Sequence, residues 1–123
     1  MGEDGFERAQ IEMWDRRVEL GFMLPLMFWV RHTHPALAKV EQQQTPAVGA
    51  FNQGKAMDFA LYLDGELAKR PWIAGDRFTI ADITAVCGAD FAKLMKWRPG
   101  EELPNLMRWR QAIAARPAGG VGG

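Results

Sequence analysis

Apolar residues recur at three- and four-residue steps along most of the chain, which is the spacing of helices with one buried face. From Glu7 to about His32, Ile11, Trp14, Val18 and Phe22 form such a stripe, with Glu12, Asp15, Arg16 and Glu19 on other faces. The run from Phe22 to Val30 is apolar nearly all round, so burial on several sides is expected there. Pro25 lacks a backbone donor and crowds the carbonyl four residues back, so a kink is expected. Gly21 leaves room for another backbone or a ligand to approach. His34-Pro35 ends this element, and residues 35–50 read as a connection that can hold a helical turn or two. A second helix is predicted from about Phe51 to Lys69, with Ala56, Phe59, Ala60, Leu63 and Leu67 on one face; Gly54 and Gly65 each cost it about 1 kcal/mol against Ala. The next runs from Ile80 to roughly Lys96 and is expected to bury Ile83, Val86, Cys87, Phe91 and Leu94. A last helix spans about Pro104 to Arg116, with Leu106, Trp109 and Ile113 inward and Pro104 suited to the first turn. No alternating stretch is long enough to argue a strand. The expectation is an all-α bundle of four to five helices, one domain over residues 1–118, with a disordered Gly-rich tail at 119–123.

The most strongly marked helix start lies in RPWIAGDRFTIADITA, residues 70–85. Thr79 is a good N-cap, and Asp82, three residues on, can reach back to the cap's own N–H, a short-armed capping box. Phe78 and Ile83 flank it at the positions of a hydrophobic staple, and Gly75-Asp76 supplies the turn before it.

Fifteen basic and fifteen acidic residues balance, so net charge argues for neither nucleic acid nor an anionic membrane. The single cysteine excludes an intrachain disulfide framework and fits a reducing compartment. At mid-helix among apolar residues, Cys87 reads as a packing residue rather than a nucleophile. The N-terminus, MGEDGFERAQ, is polar and acidic, unlike a secretory or transit signal, and the longest apolar run falls short of the roughly 20 residues of a membrane span. A cytoplasmic location is expected. His32 and His34 have no carboxylate or thiol at a spacing that completes a zinc site, so they read as surface or capping residues and no metal is expected.

Three stretches in order, ERAQIEMWDRRVEL at 7–20, WIAGDRFTIADIT at 72–84 and LPNLMRWRQAIAARPA at 103–118, resemble the C-terminal domain of a cytosolic glutathione S-transferase, closest in flavour to the bacterial and theta-like group. The resemblance covers about Phe6 to Ala118. In that family an N-terminal thioredoxin-like domain binds glutathione and carries the Ser, Tyr or Cys that activates its thiol; nothing in this sequence corresponds to it, and the chain has no serine. The resemblance therefore implies the helical part of a larger enzyme, without a catalytic residue or cofactor of its own, with glutathione as the co-substrate of the complete protein and a homodimer as its assembly.

Carried onto this chain, the family pattern places Phe22 and Phe91 at the helical wall of the electrophile site, where some bacterial relatives have His and Trp. Met23 and Met27 would add adaptable lining for a small hydrophobic electrophile. Glu12 falls where an acidic residue reaches across the dimer to the partner's glutathione amine; its plainer role is an i±4 pair with Arg8 or Arg16. Thr79 and Asp82 are expected to be structural. The competing reading is a stand-alone, non-catalytic helical module for protein interaction, built on the same fold.

Overall fold

The computed structural model describes residues 4–116. Five α-helices follow one another: α1 (Gly5–Val18), α2 (Leu24–Arg31), α3 (Pro46–Leu67), α4 (Ile80–Phe91) and α5 (Pro104–Ala114). A π-helical turn, Glu19–Met23, joins α1 to α2, and short 3-10 turns follow α2 and α4 at Pro35–Leu37 and Ala92–Met95. Among the described residues there is no strand, only an isolated antiparallel bridge between Trp72 and Gly75. α2 lies along α3, α1 on α4, and α5 closes against α3. The Gly-rich tail predicted at 119–123 lies outside the described residues.

The π turn is where the sequence solves a geometric conflict. Trp14, Val18, Phe22, Leu26 and Val30 are all buried, at a strict four-residue spacing. In an α-helix each such step drifts by about 40°, so the set would sweep about 160° and leave one face. One extra residue in the turn takes back about 100° of that drift. Pro25 is what the π turn accommodates: it stands in the first turn of α2, and the widened ladder, with the Leu24 N–H donating to the Glu19 carbonyl, removes the need for its missing donor. Where a kink is expected, the chain forms a π turn over Glu19–Met23, the stretch that holds the carbonyl four residues before Pro25.

α3 begins at Pro46, five residues before the predicted start, because Pro46 at N1 is preorganised for a helix and the Thr45 carbonyl opens the ladder to Val48 and Gly49. α5 has no cap in its own preceding residue, Leu103; Asp64 of α3 supplies one, its Oδ1 accepting the N–H groups of Asn105 and Leu106 at 2.8 and 2.9 Å. The stripe of Leu106, Trp109 and Ile113 is fully buried.

α4 corrects the sequence reading. Its inward face is made of small residues, Ala81, Ala85, Gly88, Ala89 and Ala92, with Val86 and Asp82. The bulkier stripe expected to be buried, Ile83, Cys87, Phe91 and Leu94, runs down another face: Ile83 and Phe91 are half-buried, Leu94 is 44% exposed and Cys87 is an exposed free thiol. Both stripes have helical spacing, so period alone does not choose between them. Close approach to the π turn does, because it admits only small side chains: a Cβ on Gly88 would lie 2.9 Å from the Met23 Cα.

The helix predicted to reach Lys96 ends earlier, in a Schellman motif. Trp97 N–H donates to the Ala92 carbonyl and Lys96 N–H to that of Lys93, with Lys96 left-handed at φ 61°. A side chain is strained there, so Lys96→Gly should stabilise the chain by about 1 kcal/mol. The measurement is the urea midpoint at unchanged slope; a lowered midpoint would mean that the lysine side chain compensates for its backbone.

Candidate functional site

The sequence between α3 and α5 is tied around one carboxylate. Asp82, with no exposed surface, accepts three N–H groups: Oδ1 takes Ile73 at 3.0 Å and the indole of Trp109 at 2.8 Å, and Oδ2 takes the Thr79 backbone at 2.9 Å. Thr79 returns its hydroxyl oxygen to the first turn of α4, accepting from Ala81 at 3.3 Å. The turn Trp72–Gly75 is closed on itself by two backbone bonds, with Gly75 at φ 151°, and Arg70 Nε donates to the Ile73 carbonyl at 2.8 Å. Burial pushes the Asp82 carboxyl above its ordinary 3.8, outweighing the pull of its hydrogen-bond donors in the other direction. No nucleophile or base touches it, and its oxygens are committed to structure.

The apolar positions divide into a core and an uncovered face. Phe22 has no exposed surface; its ring meets Phe59 at 6.1 Å and Trp97 at 6.2 Å. A Cβ on Gly21 would stand 2.4 Å from the Phe59 ring, so the glycine is filled by an aromatic side chain rather than by open space. Met23 and Met27, one helical turn apart, are half-buried. Met23 is seated on Gly88, one turn along α4 from the half-buried Phe91. Met23 and Phe91 are both half-buried, whereas Phe22 has no exposed surface.

Glu12 is on the surface of α1, its side chain 78% exposed, 3.9 Å from Arg16. Met13 beside it, Leu20 on the following turn, and Phe51, Leu61 and Tyr62 of α3 are exposed large apolar residues, and Arg17 bridges the two helices by donating to the Tyr62 hydroxyl at 3.2 Å. A cavity of about 400 Å³ lies elsewhere, between the start of α1 and residues 74–79, and none of the predicted wall residues lines it. Among the described residues no cluster of His, Cys, Asp and Glu could hold a metal, and no helix is long and apolar enough to cross a membrane.

Gly88 and Asp64 escaped the sequence reading, as did the bond, though not the burial, of Trp109. A buried indole needs an acceptor, which was the available sign that Trp109 would find Asp82. Gly88 in an otherwise favourable helix marked a close contact. Asp64 gave no sign, because its partners are forty residues on.

The glutathione S-transferase C-terminal domain family model matches residues 27–117. Glutathione S-transferase 2 of Saccharomyces cerevisiae is 34% identical over 118 residues, covering 95% of this chain and 51% of the yeast protein. The glutathione S-transferase GstB of Escherichia coli is 44% identical over 80 residues, 63% of this chain and 36% of that protein. The crystal structure of a glutathione S-transferase domain-containing protein from Marinobacter aquaeolei superposes with a TM-score of 0.86 at 38% identity, over 94% of this chain and 57% of that one. The chain belongs to the glutathione S-transferase family and has the fold of its all-α C-terminal domain. It spans about half the length of the yeast relative.

The linkage at Asp82 has a definite sign. Its native carboxyl keeps a proton to higher pH than the unfolded one, so its contribution is full below about 3.8 and is lost as pH rises through the raised native value. Asp82→Asn removes that titration but turns an amide N–H towards Thr79 N–H. The stability of the wild type relative to this variant should therefore decline as pH rises from about 4, while Asp82→Ala, which strands three donors, should cost roughly 3 kcal/mol or more throughout. Urea unfolding of the three proteins across pH checks both; a wild-type advantage over Asn that grows with pH would reverse the sign argued here.

Proposed function

We propose that this chain is the helical part of a glutathione transferase whose complete form joins glutathione to small apolar electrophiles. The observation that carries the reading is the partly uncovered stripe of α4, with Phe91 on it and Met23 and Met27 alongside. That stripe needs a cover, and a thioredoxin-like glutathione-binding domain is the partner proposed for it. Phe91, Met23 and Met27 then form the far wall of the electrophile site; apolar, polarisable side chains there hold a hydrophobic ring without fixing its outline. Phe22, with no surface of its own, backs that wall and holds it in position against Phe59 and Trp97. The thiol is activated by the partner domain, which is where the family resemblance puts the activating residue.

The same proposal assigns the exposed apolar residues of α1 and α3, among them Met13, Leu20, Leu61 and Tyr62, to a homodimer of the complete protein. Glu12, at the edge of that surface, reaches the partner's glutathione amine once dimer formation draws it from Arg16. Detoxification in the cytoplasm is the setting that fits such chemistry. A stand-alone interaction module of the same fold is the alternative, and the exposed apolar residues of α1 and α3 are the docking surface it would use.

The isolated chain should neither conjugate glutathione to chlorodinitrobenzene nor be retained on immobilised glutathione, and it should bind an apolar dye through the α4 stripe. Fused behind a thioredoxin-like domain from a relative, it should gain conjugating activity. In that fusion Phe91→Asp should cut kcat/KM for an apolar electrophile by about tenfold while sparing the KM for glutathione. Conjugation by the isolated chain would overturn the need for the second domain; an inactive, well-folded fusion with no dye binding by the chain would favour the module.

A further inference from the structure

The chain has two histidines, His32 and His34, both beside the turn that leaves α2, and both accept hydrogen bonds from backbone N–H groups. His34 Nδ1 takes the Ala36 N–H at 3.1 Å and caps the 3-10 turn Pro35–Leu37. His32 Nδ1 reaches across the connection and takes the Thr45 N–H at 3.0 Å. Thr45 is the N-cap of α3, and its own side chain makes no cap bond, so the imidazole ties down the entry to the longest helix. A ring nitrogen that accepts carries no proton, so in this arrangement the proton of each ring is on Nε2.

The surroundings of His32 leave one way for a second proton to act. Its Nε2 lies 3.8 Å from Glu41 Oε2, an oxygen that also meets Arg31 Nη2 at 3.3 Å. Glu41 and Arg31 are the charged groups at the ring; from α3 it meets the Thr45 N–H and Gly49, where a Cβ would stand 3.4 Å from the His32 Cβ and 2.4 Å from Thr33 Oγ1. Gln44 Nε2 completes the corner by donating to the carbonyls of Arg31 and His34 at 2.9 and 2.8 Å.

We infer that the corner between α2 and α3 is a pH-operated hinge, opened when His32 takes a proton. The proton goes to Nδ1, which then faces the Thr45 N–H donor against donor, and that bond is lost. The Glu41 carboxylate, 3.8 Å from Nε2, attracts the cation, drawing it from α3 towards Glu41. His34 gives up Ala36 by the same chemistry. Residues 32–49 loosen together, because the first turn of α3 is pressed onto this corner at Gly49, while Ala56 to Leu67 stay anchored in the core. Imidazole is the side chain that makes such a change within the physiological range.

The test is amide exchange and imidazole nitrogen NMR on the full chain between about pH 7.5 and 5. At the upper end both rings should show Nδ1 unprotonated, and Thr45 and Ala36 should be protected. On acidification the protection factor of Thr45 should fall by about tenfold, in step with His32 protonation. His32→Asn places an oxygen where Nδ1 stood and does not titrate, so it should hold the Thr45 protection across the range; His32→Gln gives the same reading if the Asn variant folds poorly. A proton on His32 Nδ1 at neutral pH, Thr45 protection that survives His32 protonation, or an Asn variant that loses protection with acid as the wild type does would each overturn the hinge.

Discussion

A carboxylate shut away from water is tolerable only where donors surround it, and Asp82 gathers its donors from three parts of the chain. Ile73 belongs to the turn after α3, Thr79 to the start of α4, and Trp109 to the middle of α5. Each donor would itself be stranded if the oxygens were withdrawn. The bonding is therefore mutual, and it sets where α4 begins, how the loop ahead of it is held and how deeply α5 sits. Burial works against the charge, and the protein accepts that cost to fix the relative placement of three elements. The large indole beside the carboxylate fills space that a smaller donor would leave open.

The second constraint is width. α1 and α2 are one helix with an added residue, and that residue keeps five side chains at four-residue spacing on one face. It also brings the backbone at Met23 so near α4 that only Gly88 and its alanine neighbours fit inside. Once the inner face of α4 is made of small residues, its bulky residues must stand outside. The half-covered wall proposed to meet an electrophile is thus a by-product of how the core is packed, and the π turn, the small stripe and the open stripe are one solution rather than three features.

Much of this was legible in the residues and some was not, for separable reasons. Thr79 and Asp82 announced a local device, and local devices are written in adjacent letters; the further partners of Asp82 lie 9 and 27 residues away and have no local signature. The stripe of α5 was readable because Leu106, Trp109 and Ile113 are its large apolar residues at one phase, with charged residues on the opposite side. α4 was misread because it is apolar at two phases, and the choice between them is made by a neighbour. The start of α3 was hidden by a Pro that begins a helix as readily as it ends one. Phe22 and Phe91 occupy equivalent places in the family pattern, yet one is sealed in the core and the other is half open. A resemblance places residues on an element; it does not assign their exposure.

The distances along the chain between Asp82 and its donors also imply an order of events. Thr79 is 3 residues away and Ile73 is 9, so both bonds close loops short enough to form while the rest of the chain is still searching. Trp109 is 27 residues away, and its indole can reach the carboxylate only after the intervening chain has folded back. The early partners prepare an acceptor that is already oriented and already partly dry when α5 arrives. α5 then docks on a carboxylate whose local partners are already in place, and its indole N–H completes the set.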